Sequence, residues 1–373
     1  MNAESFLTMP CHWDMAILNT ILKYKNKKNI CVKEMYGVSS RSPIGHGRAP
    51  STIKPIEDKK IFNFRKLMKK ANIDFAYILN SPLTDAQIGS KLKEIKKHIN
   101  WVLNELNPDS LIITSFKIMK IVRKISNIPI TISAIARIQK AKDIEKYLEI
   151  NPSKLVVQHD VNRNFNDLKE ILKFAKVNDI AIEIMLTESC RRRCPIMIDH
   201  YKTAGRGKVD TCFHRKCNIK KLESPEEFLL ANFIRPEDVS FYEKLGIKYF
   251  KITGRSKSSS WLPLVVKAYL NRRFNGNLVR LLGIDPLLSA ENWVYISNLA
   301  LKGFLENFPK NENKEAEKKY CKKWIKKLYE KKDFYVKGVK YEILENEIIP
   351  KTNILDIPQI KKIYFNKKNE NEL

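Results

Sequence analysis

Long apolar runs are missing from this chain of 373 residues. No segment approaches the roughly 20 consecutive apolar residues that cross a bilayer, and the first twenty residues lack a basic start followed by an apolar stretch. We therefore expect a cytoplasmic protein without a membrane span. In a reducing compartment, clustered cysteines are more often metal ligands or catalytic thiols than disulfides, and the odd total of seven fits a disulfide framework poorly.

Familiar hydrolytic and nucleotide-binding motifs are missing as well. The sequence contains no H-E-x-x-H and no G-x-S-x-G segment, which argues against the common metalloprotease and serine-hydrolase sites. No glycine-rich dinucleotide fingerprint follows the first predicted strand. A cysteine protease would need the same thiolates that a metal would bind.

Arginine is scarce, and its distribution is uneven. The chain has 53 Lys but only 16 Arg, and ten of the arginines lie between Cys190 and Leu282. Because a guanidinium grips carboxylates and phosphates with two hydrogen bonds, this concentration suggests an anionic ligand there, although chance and a solvated surface explain it equally well. The net charge of +28 suggests RNA or reflects a lysine-rich genome composition, and both explanations stay open.

Eight short β-prone runs recur along the first 253 residues, at 5–9, 30–36, 73–79, 110–114, 128–133, 154–158, 180–186 and 248–253. Segments with helical periodicity separate most of them, for example Ile88 to Leu106 and Phe165 to Ala175. This alternation predicts an α/β fold, a (β/α)8 TIM-like barrel over residues 1–283, with an open doubly wound sheet as the alternative.

Residues 284–373 are predicted to form a C-terminal helical extension and tail. Two helices are expected, over 291–308 and 314–332, followed by a short β-prone piece. The second is amphipathic and basic, which suits binding to RNA or a membrane surface, or packing of its apolar stripe on the main domain.

The segment "ESCRRRCPIMIDHYKTAGRGKVDTCFHRKC" holds four cysteines, Cys190, Cys194, Cys212 and Cys217. Two short pairs, each on a tight turn, are typical of structural zinc, whereas four thiolates with a Cys-Pro step also suit an iron–sulfur cluster. The first pair begins four residues after the seventh strand. That position is on the C-terminal face of the barrel, where barrel enzymes build active sites.

Several segments resemble the peptidase U32 family of collagenase-like proteins over roughly residues 5–283. They are "HDVNRNFNDLKEIL", "ESCRRRCPIMIDHY", "FIRPEDVSFYEKLGIKYFKITGR" and "AYLNRRFNGNL". The resemblance implies a barrel whose cysteines bind a [4Fe-4S] cluster, and an oxygen-independent hydroxylase acting on ubiquinone precursors or RNA bases. Other members carry only the protease label. Cys212 matches the third cysteine of a shorter branch, and either Cys217 or Cys321 would supply the fourth ligand.

Six further residues are candidates for the chemistry of this face. Glu34, Glu188 and His200 are the proton-transfer candidates, and Arg235, Lys251 and Arg255 would hold an anionic substrate or hydroxyl donor. The favoured hypothesis is a [4Fe-4S] enzyme that modifies a small anionic molecule or an RNA base, with a possible partner subunit of the same family. A collagenase-like peptidase and a zinc-stabilised RNA-binding protein are the alternatives.

Overall fold

A computed structural model of the protein contains a closed barrel of eight parallel strands, in which each strand pairs with the next and the eighth with the first. The structure describes residues 5–24, 30–39, 42–45, 47, 55–80, 83–205, 211–255, 257–258, 260–282, 292–310, 313–345, 347–358 and 361. The barrel strands are β1 (Ser5–Pro10), β2 (Ile30–Gly37), β3 (Asp74–Leu79), β4 (Ser110–Ile113), β5 (Ile130–Ile132), β6 (Lys154–Val156), β7 (Ala181–Met185) and β8 (Tyr249–Lys251).

The strands confirm all eight β-prone runs and the barrel. Strands β4, β5 and β6 are buried at every position, as expected of parallel strands that have a core on one face and helices on the other. Their Ile and Leu side chains pack well on such a surface. Because β1 pairs with β8 as well as β2, the open-sheet alternative is wrong.

Helices cover the outside of the barrel and extend it. They are α1 (Met15–Tyr24), α2 (Asp58–Lys70), α3 (Asp85–Ser90), α4 (Leu92–Trp101), α5 (Phe116–Arg123), α6 (Lys142–Glu145), α7 (Phe165–Val177), α8 (Met197–Gly205), α9 (Thr211–Glu223), α10 (Glu226–Leu230), α11 (Val239–Lys244), α12 (Trp261–Leu270) and α13 (Lys314–Glu330). Helix α7 shows why they form, because the Asn164 side chain accepts from the Asp167 amide and caps the first turn. Its buried residues Leu168, Ile171 and Ala175 repeat at helical spacing.

The C-terminal region differs in part from the prediction. Helix α13 confirms the second predicted helix, but 291–308 is not one helix: it contains strand β9 (Val294–Ile296) and a 3-10 turn, Leu299–Leu301. Strand β9 pairs with β10 (Phe334–Val336), and β11 (Tyr341–Leu344) pairs with β12 (Glu347–Pro350). This pairing, contributed by residues forty positions away, overrides local helical preference. The predicted boundary at 283/284 lies outside the described residues.

A second apolar core joins this region to the segment between β7 and β8. Phe228 and Phe233 from that segment pack with Phe304, Ile325 and Leu328. The apolar stripe of α13 is therefore buried within the protein, as the packing alternative predicts. Within the described residues, no helix has the length and apolarity required to cross a bilayer.

Candidate metal and active site at the C-terminal end of the barrel

The cysteine segment begins at the C-terminal end of the barrel, as predicted. After β7, the Leu186 amide donates to the Lys251 carbonyl of β8, and the Ile234 amide donates to the Leu186 carbonyl. The intervening loop, α8, α9 and α10 all emerge between these two strands. The first cysteines are thus held at the mouth of the barrel by main-chain bonds to its last strand.

Glu188 organises the start of the cysteine loop. Its Oε1 atom accepts hydrogen bonds of 2.9 Å from the main-chain amides of Ser189 and Cys190. Three residues after Cys190, Arg193 has a φ of 50°, in the left-handed region, and its amide donates to Asp160 Oδ1 at 3.0 Å. Side chains therefore satisfy the backbone of a turn that no regular element could accommodate.

The three arginines between Cys190 and Cys194 pair with carboxylates of this chain. Arg191 forms two hydrogen bonds to Glu227, at 3.0 and 3.1 Å. Arg192 binds both oxygens of Glu317, at 2.8 and 3.0 Å, and Arg193 also pairs with Glu317. These charges anchor the loop to α10 and α13, so the concentration of arginine here has a structural explanation.

Cys217 lies close enough to Cys190 and to Cys194 to raise the pKa of both thiols. Burial raises the pKa of Cys190, and Glu188 and Cys217 add to the effect; burial raises the pKa of Cys194, again with a contribution from Cys217. A contact one helical turn after Cys217 holds α9 in this position. There the buried Lys221 ammonium donates a hydrogen bond to the Ser189 carbonyl of the cysteine loop. Cys217 is thus near two other predicted ligands, Cys190 and Cys194.

The second cysteine pair does not sit on the predicted tight turn. Cys212 and Cys217 both belong to helix α9, where positions five apart are about 140° apart around the axis. The Cys212 side chain lies outside the described residues. Among the side chains that are described, no group of three or more His, Cys, Asp or Glu is arranged to hold a metal ion. Cys321 lies fully buried in the second apolar core, beside Ile325 and Leu328.

His159 belongs to the site but is not among the residues predicted from the sequence. It follows β6, is buried, and its Nδ1 lies 3.4 Å from Asp160 Oδ1 and 3.2 Å from Asn232 Nδ2. Burial opposes its charge, but Asp160 and Glu188 outweigh burial and raise the pKa of His159. A His-Asp pair immediately after a barrel strand was the available signal, since loops after strands meet at one face.

His200, by contrast, is a stacked aromatic of helix α8. Its ring lies 5.4 Å from Phe213 and 6.3 Å from Tyr201, centroid to centroid, with both pairs nearly parallel. These contacts join α8 to α9 and give the ring a packing role.

The predicted position of Glu34 on the C-terminal rim is wrong. It is the fifth of eight residues in β2, and its side chain points into the barrel. Its carboxylate lies 2.9 Å from Lys154 Nζ and 3.2 Å from Ser110 Oγ, and these partners begin strands β6 and β4. Glu34 therefore lies toward the N-terminal end of the barrel interior. It does not share a site with Cys190, which lies at the C-terminal end.

The three predicted anion-binding cations have different surroundings. Arg235 is buried, binds both oxygens of Asp238 at 2.7 and 2.8 Å, and donates to the Asn298 carbonyl. Lys251 ends β8 with its ammonium inside the barrel, 3.4 Å from Glu183. Arg255 follows β8 at the cysteine-bearing end, near enough to His12 to influence its protonation.

Comparisons with known proteins identify the family of this chain. The model of peptidase family U32 matches residues 51–275. The chain is 28% identical over 304 residues to an uncharacterized protease of Methanocaldococcus jannaschii, covering 78% of this chain and 87% of that protein. The solved structure of the U32 peptidase Mk0906 aligns with a TM-score of 0.49 at 9% identity, covering 68% of this chain and 93% of the other. The family match spans more than half of the sequence, and the chain therefore belongs to peptidase family U32.

Proposed function

We propose that this protein is a [4Fe-4S] enzyme that hydroxylates or similarly modifies a small anionic molecule or an RNA base. The observation that carries the proposal is that Cys217 lies near both Cys190 and Cys194 at the C-terminal end of the barrel, where Glu188 lies near Cys190 and the buried His159. Thiols that serve only packing have no reason to collect at the end where barrel enzymes work.

The donor set suits a cluster in its chemistry. Four thiolates are the usual ligands of a [4Fe-4S] cluster, and Cys190, Cys194, Cys212 and Cys217 would supply them, with zinc as the alternative metal for the same thiolates. When bound, a cluster supplies electron transfer or polarises a substrate oxygen. The raised thiol pKa values mean that metal binding would release protons and weaken in acid.

The residues around the cysteines would hold the loop, the charge of the site and the substrate. Asp160 favours the charged form of the buried His159, so this pair would place positive charge beside the cysteine loop. Glu188 is occupied with the amides of the cysteine loop and so positions the loop. Arg255, at the same end, would hold a carboxylate or phosphate of the substrate or of a hydroxyl donor.

A collagenase-like peptidase is the second candidate, because the archaeal relative is called a protease. Both ring nitrogens of His159 already have protein neighbours: Nδ1 lies near Asp160 and Asn232, and Nε2 is 3.4 Å from Gln158 Nε2. A histidine engaged on both sides is poorly prepared to activate a nucleophile. This arrangement favours the modifying enzyme.

Anaerobic purification tests the cluster directly. The protein should be brown, absorb broadly in the visible blue and contain about four irons and four sulfides per chain. Cys190→Ser, Cys194→Ser and Cys212→Ser should lose the iron, and Cys217→Ser should lose it while Cys321→Ser keeps it. Cys31→Ser, on the second barrel strand, is the matched control. Colourless protein with one zinc would refute the cluster.

The reaction is tested by comparing cell extracts with and without the gene. Nucleoside and quinone profiles measured by mass spectrometry should differ by one oxygen atom in some product. Unchanged profiles, together with peptide cleavage by pure protein stripped of metal, would favour the peptidase.

A further inference from the structure

The interior of the barrel contains four charged side chains where apolar residues are usual. They are Glu34 of β2, Lys154 of β6, Glu183 of β7 and Lys251 of β8, all buried. Lys154 lies between the two carboxylates, 2.9 Å from Glu34 and 3.3 Å from Glu183. Charges removed from water are costly unless they are paired, so each of the four must be accounted for.

Three of the four are well satisfied. Glu183 accepts from Thr8 Oγ1 at 2.5 Å as well as from Lys154, and Glu34 accepts from Ser110. Burial alone would lower the pKa of Lys154, but Glu183 and Glu34 outweigh burial and raise it. The inner part of the cluster is therefore an ion triad in which two carboxylates favour the charged form of Lys154.

Lys251 is the weakly held member. Its Nζ lies 3.4 Å from Glu183 Oε2 and 4.0 Å from the centre of the Tyr36 ring, and within the described residues Glu183 is its hydrogen-bond partner. Burial lowers the pKa of Lys251, and the ammonium of Lys154 lowers it further; the attraction of Glu183 and, more weakly, of Glu34 opposes this without cancelling it. A desolvated amine beside a second cation is the environment that activates lysine as a nucleophile.

Lys251 also lies at the end of the barrel that carries the cysteines. It is the last residue of β8, next to Thr8 of β1 and Met185 of β7 in the strand register. Lys154, by contrast, begins β6, and Glu34 and Glu183 lie within their strands. Lys251 is thus the member of the charged cluster nearest the C-terminal end of the barrel, and its side chain keeps a tenth of its surface exposed.

We propose that Lys251 is a nucleophilic amine that forms an imine with a small aldehyde or ketone entering from the C-terminal end of the barrel. The nitrogen adds to the carbonyl carbon, and its proton passes to the carbonyl oxygen through the Glu183 carboxylate. Loss of water from the carbinolamine then leaves a carbon–nitrogen double bond, with no net oxidation or reduction. The inference goes beyond the proposed function and does not depend on any metal at the cysteines.

Formaldehyde, the smallest carbonyl probe, tests the amine in the intact protein. Full-length protein is treated with formaldehyde and cyanoborohydride at pH 7, and methylation of each lysine is followed by peptide mass spectrometry. Lys251 should be methylated faster than the exposed Lys248, which lies three residues earlier, by about tenfold for each unit by which its pKa is lowered. The difference should vanish in urea.

A rate at Lys251 equal to or below that at Lys248 in the folded protein would overturn the proposal and leave Lys251 as a structural ion-pair partner. A second measurement uses glyoxylate with borohydride, which should add a reduced adduct at residue 251. Lys251→Met should lose this adduct, whereas Lys248→Met should retain it. Adducts on surface lysines alone would also overturn the proposal.

Discussion

Arg192 carries a buried charge whose partners come from three distant parts of the chain. Its guanidinium binds both oxygens of Glu317 and donates to the Asp160 carbonyl and to Asn232 Oδ1. Buried charges persist only when their hydrogen-bonding groups are satisfied in this way. One side chain therefore connects the cysteine loop to the turn that contains His159, to the segment after α10 and to α13.

Removing the Glu317 carboxylate should destabilise the fold, because it leaves the buried Arg192 guanidinium without its ion-pair partner. Glu317→Ala leaves Arg192 without its carboxylate in a site where both side chains are almost inaccessible. We expect the free energy of unfolding to fall by about 3 kcal/mol, measured by urea denaturation. Glu330→Ala, an exposed change on the same helix, should cost less than about 0.5 kcal/mol. Equal effects of the two substitutions would contradict the role of the pair.

Helix α9 is the element that brings Cys217 to the other cysteines. Its hold on the loop is the buried Lys221 ammonium, which donates to the Ser189 carbonyl next to Cys190. Leu222, the following residue, belongs to the second apolar core. The same helical turn is thus fixed to the site by a hydrogen bond and to the C-terminal region by apolar packing.

Lys221→Met should remove the hydrogen bond from α9 to the Ser189 carbonyl but leave the packing of Leu222 in the second apolar core intact. Methionine retains most of the side-chain volume, but the Ser189 carbonyl loses a charged donor. We expect the iron content of anaerobically purified protein to fall by at least half, while the circular dichroism spectrum stays unchanged. Lys220→Met, which changes a partly exposed neighbour, should leave the iron content intact. An unchanged iron content in both variants would show that Lys221 does not position Cys217.

At the scale of the whole molecule, buried carboxylates that pair with cations contribute to the stability of a chain with a large excess of positive charge. The chain has 69 Lys and Arg against 41 Asp and Glu. Burial would raise the pKa of Glu183, Asp160 and Glu317, but neighbouring cations and hydrogen-bond donors outweigh burial and lower all three. Each carboxylate is thus more acidic in the folded protein than in the unfolded chain.

This sign predicts loss of stability in acid. Depressed carboxyl pKa values stabilise the fold fully above the ordinary value of 4.5, and that contribution disappears as the pH falls toward the folded value, about 2 for Glu183. The free energy of unfolding should therefore decrease steadily below about pH 5. Urea denaturation at each pH measures this decrease. Added salt screens the general repulsion but not buried pairs, so a decrease should persist in salt. Constant stability down to pH 3 would refute the prediction.

The barrel and the location of the cysteines follow from the sequence alone. Strand runs such as Ile130 to Ile132 and helical repeats such as Leu168, Ile171 and Ala175 are local patterns, and eight alternations have few compact solutions. Because the carboxyl ends of parallel strands meet at one face, the sequence order places Cys190 on that face as well.

Only the tertiary structure decided the direction and partners of individual side chains. Glu34 follows the exposed Lys33 in β2, and nothing in this local order shows that its carboxylate is buried against Lys154, 120 positions along the chain. The pairing of Arg192 with Glu317 spans 125 positions, and the pairing of β9 with β10 spans about forty. Such contacts depend on how finished elements pack, and a local pattern carries no information about a partner so far along the chain.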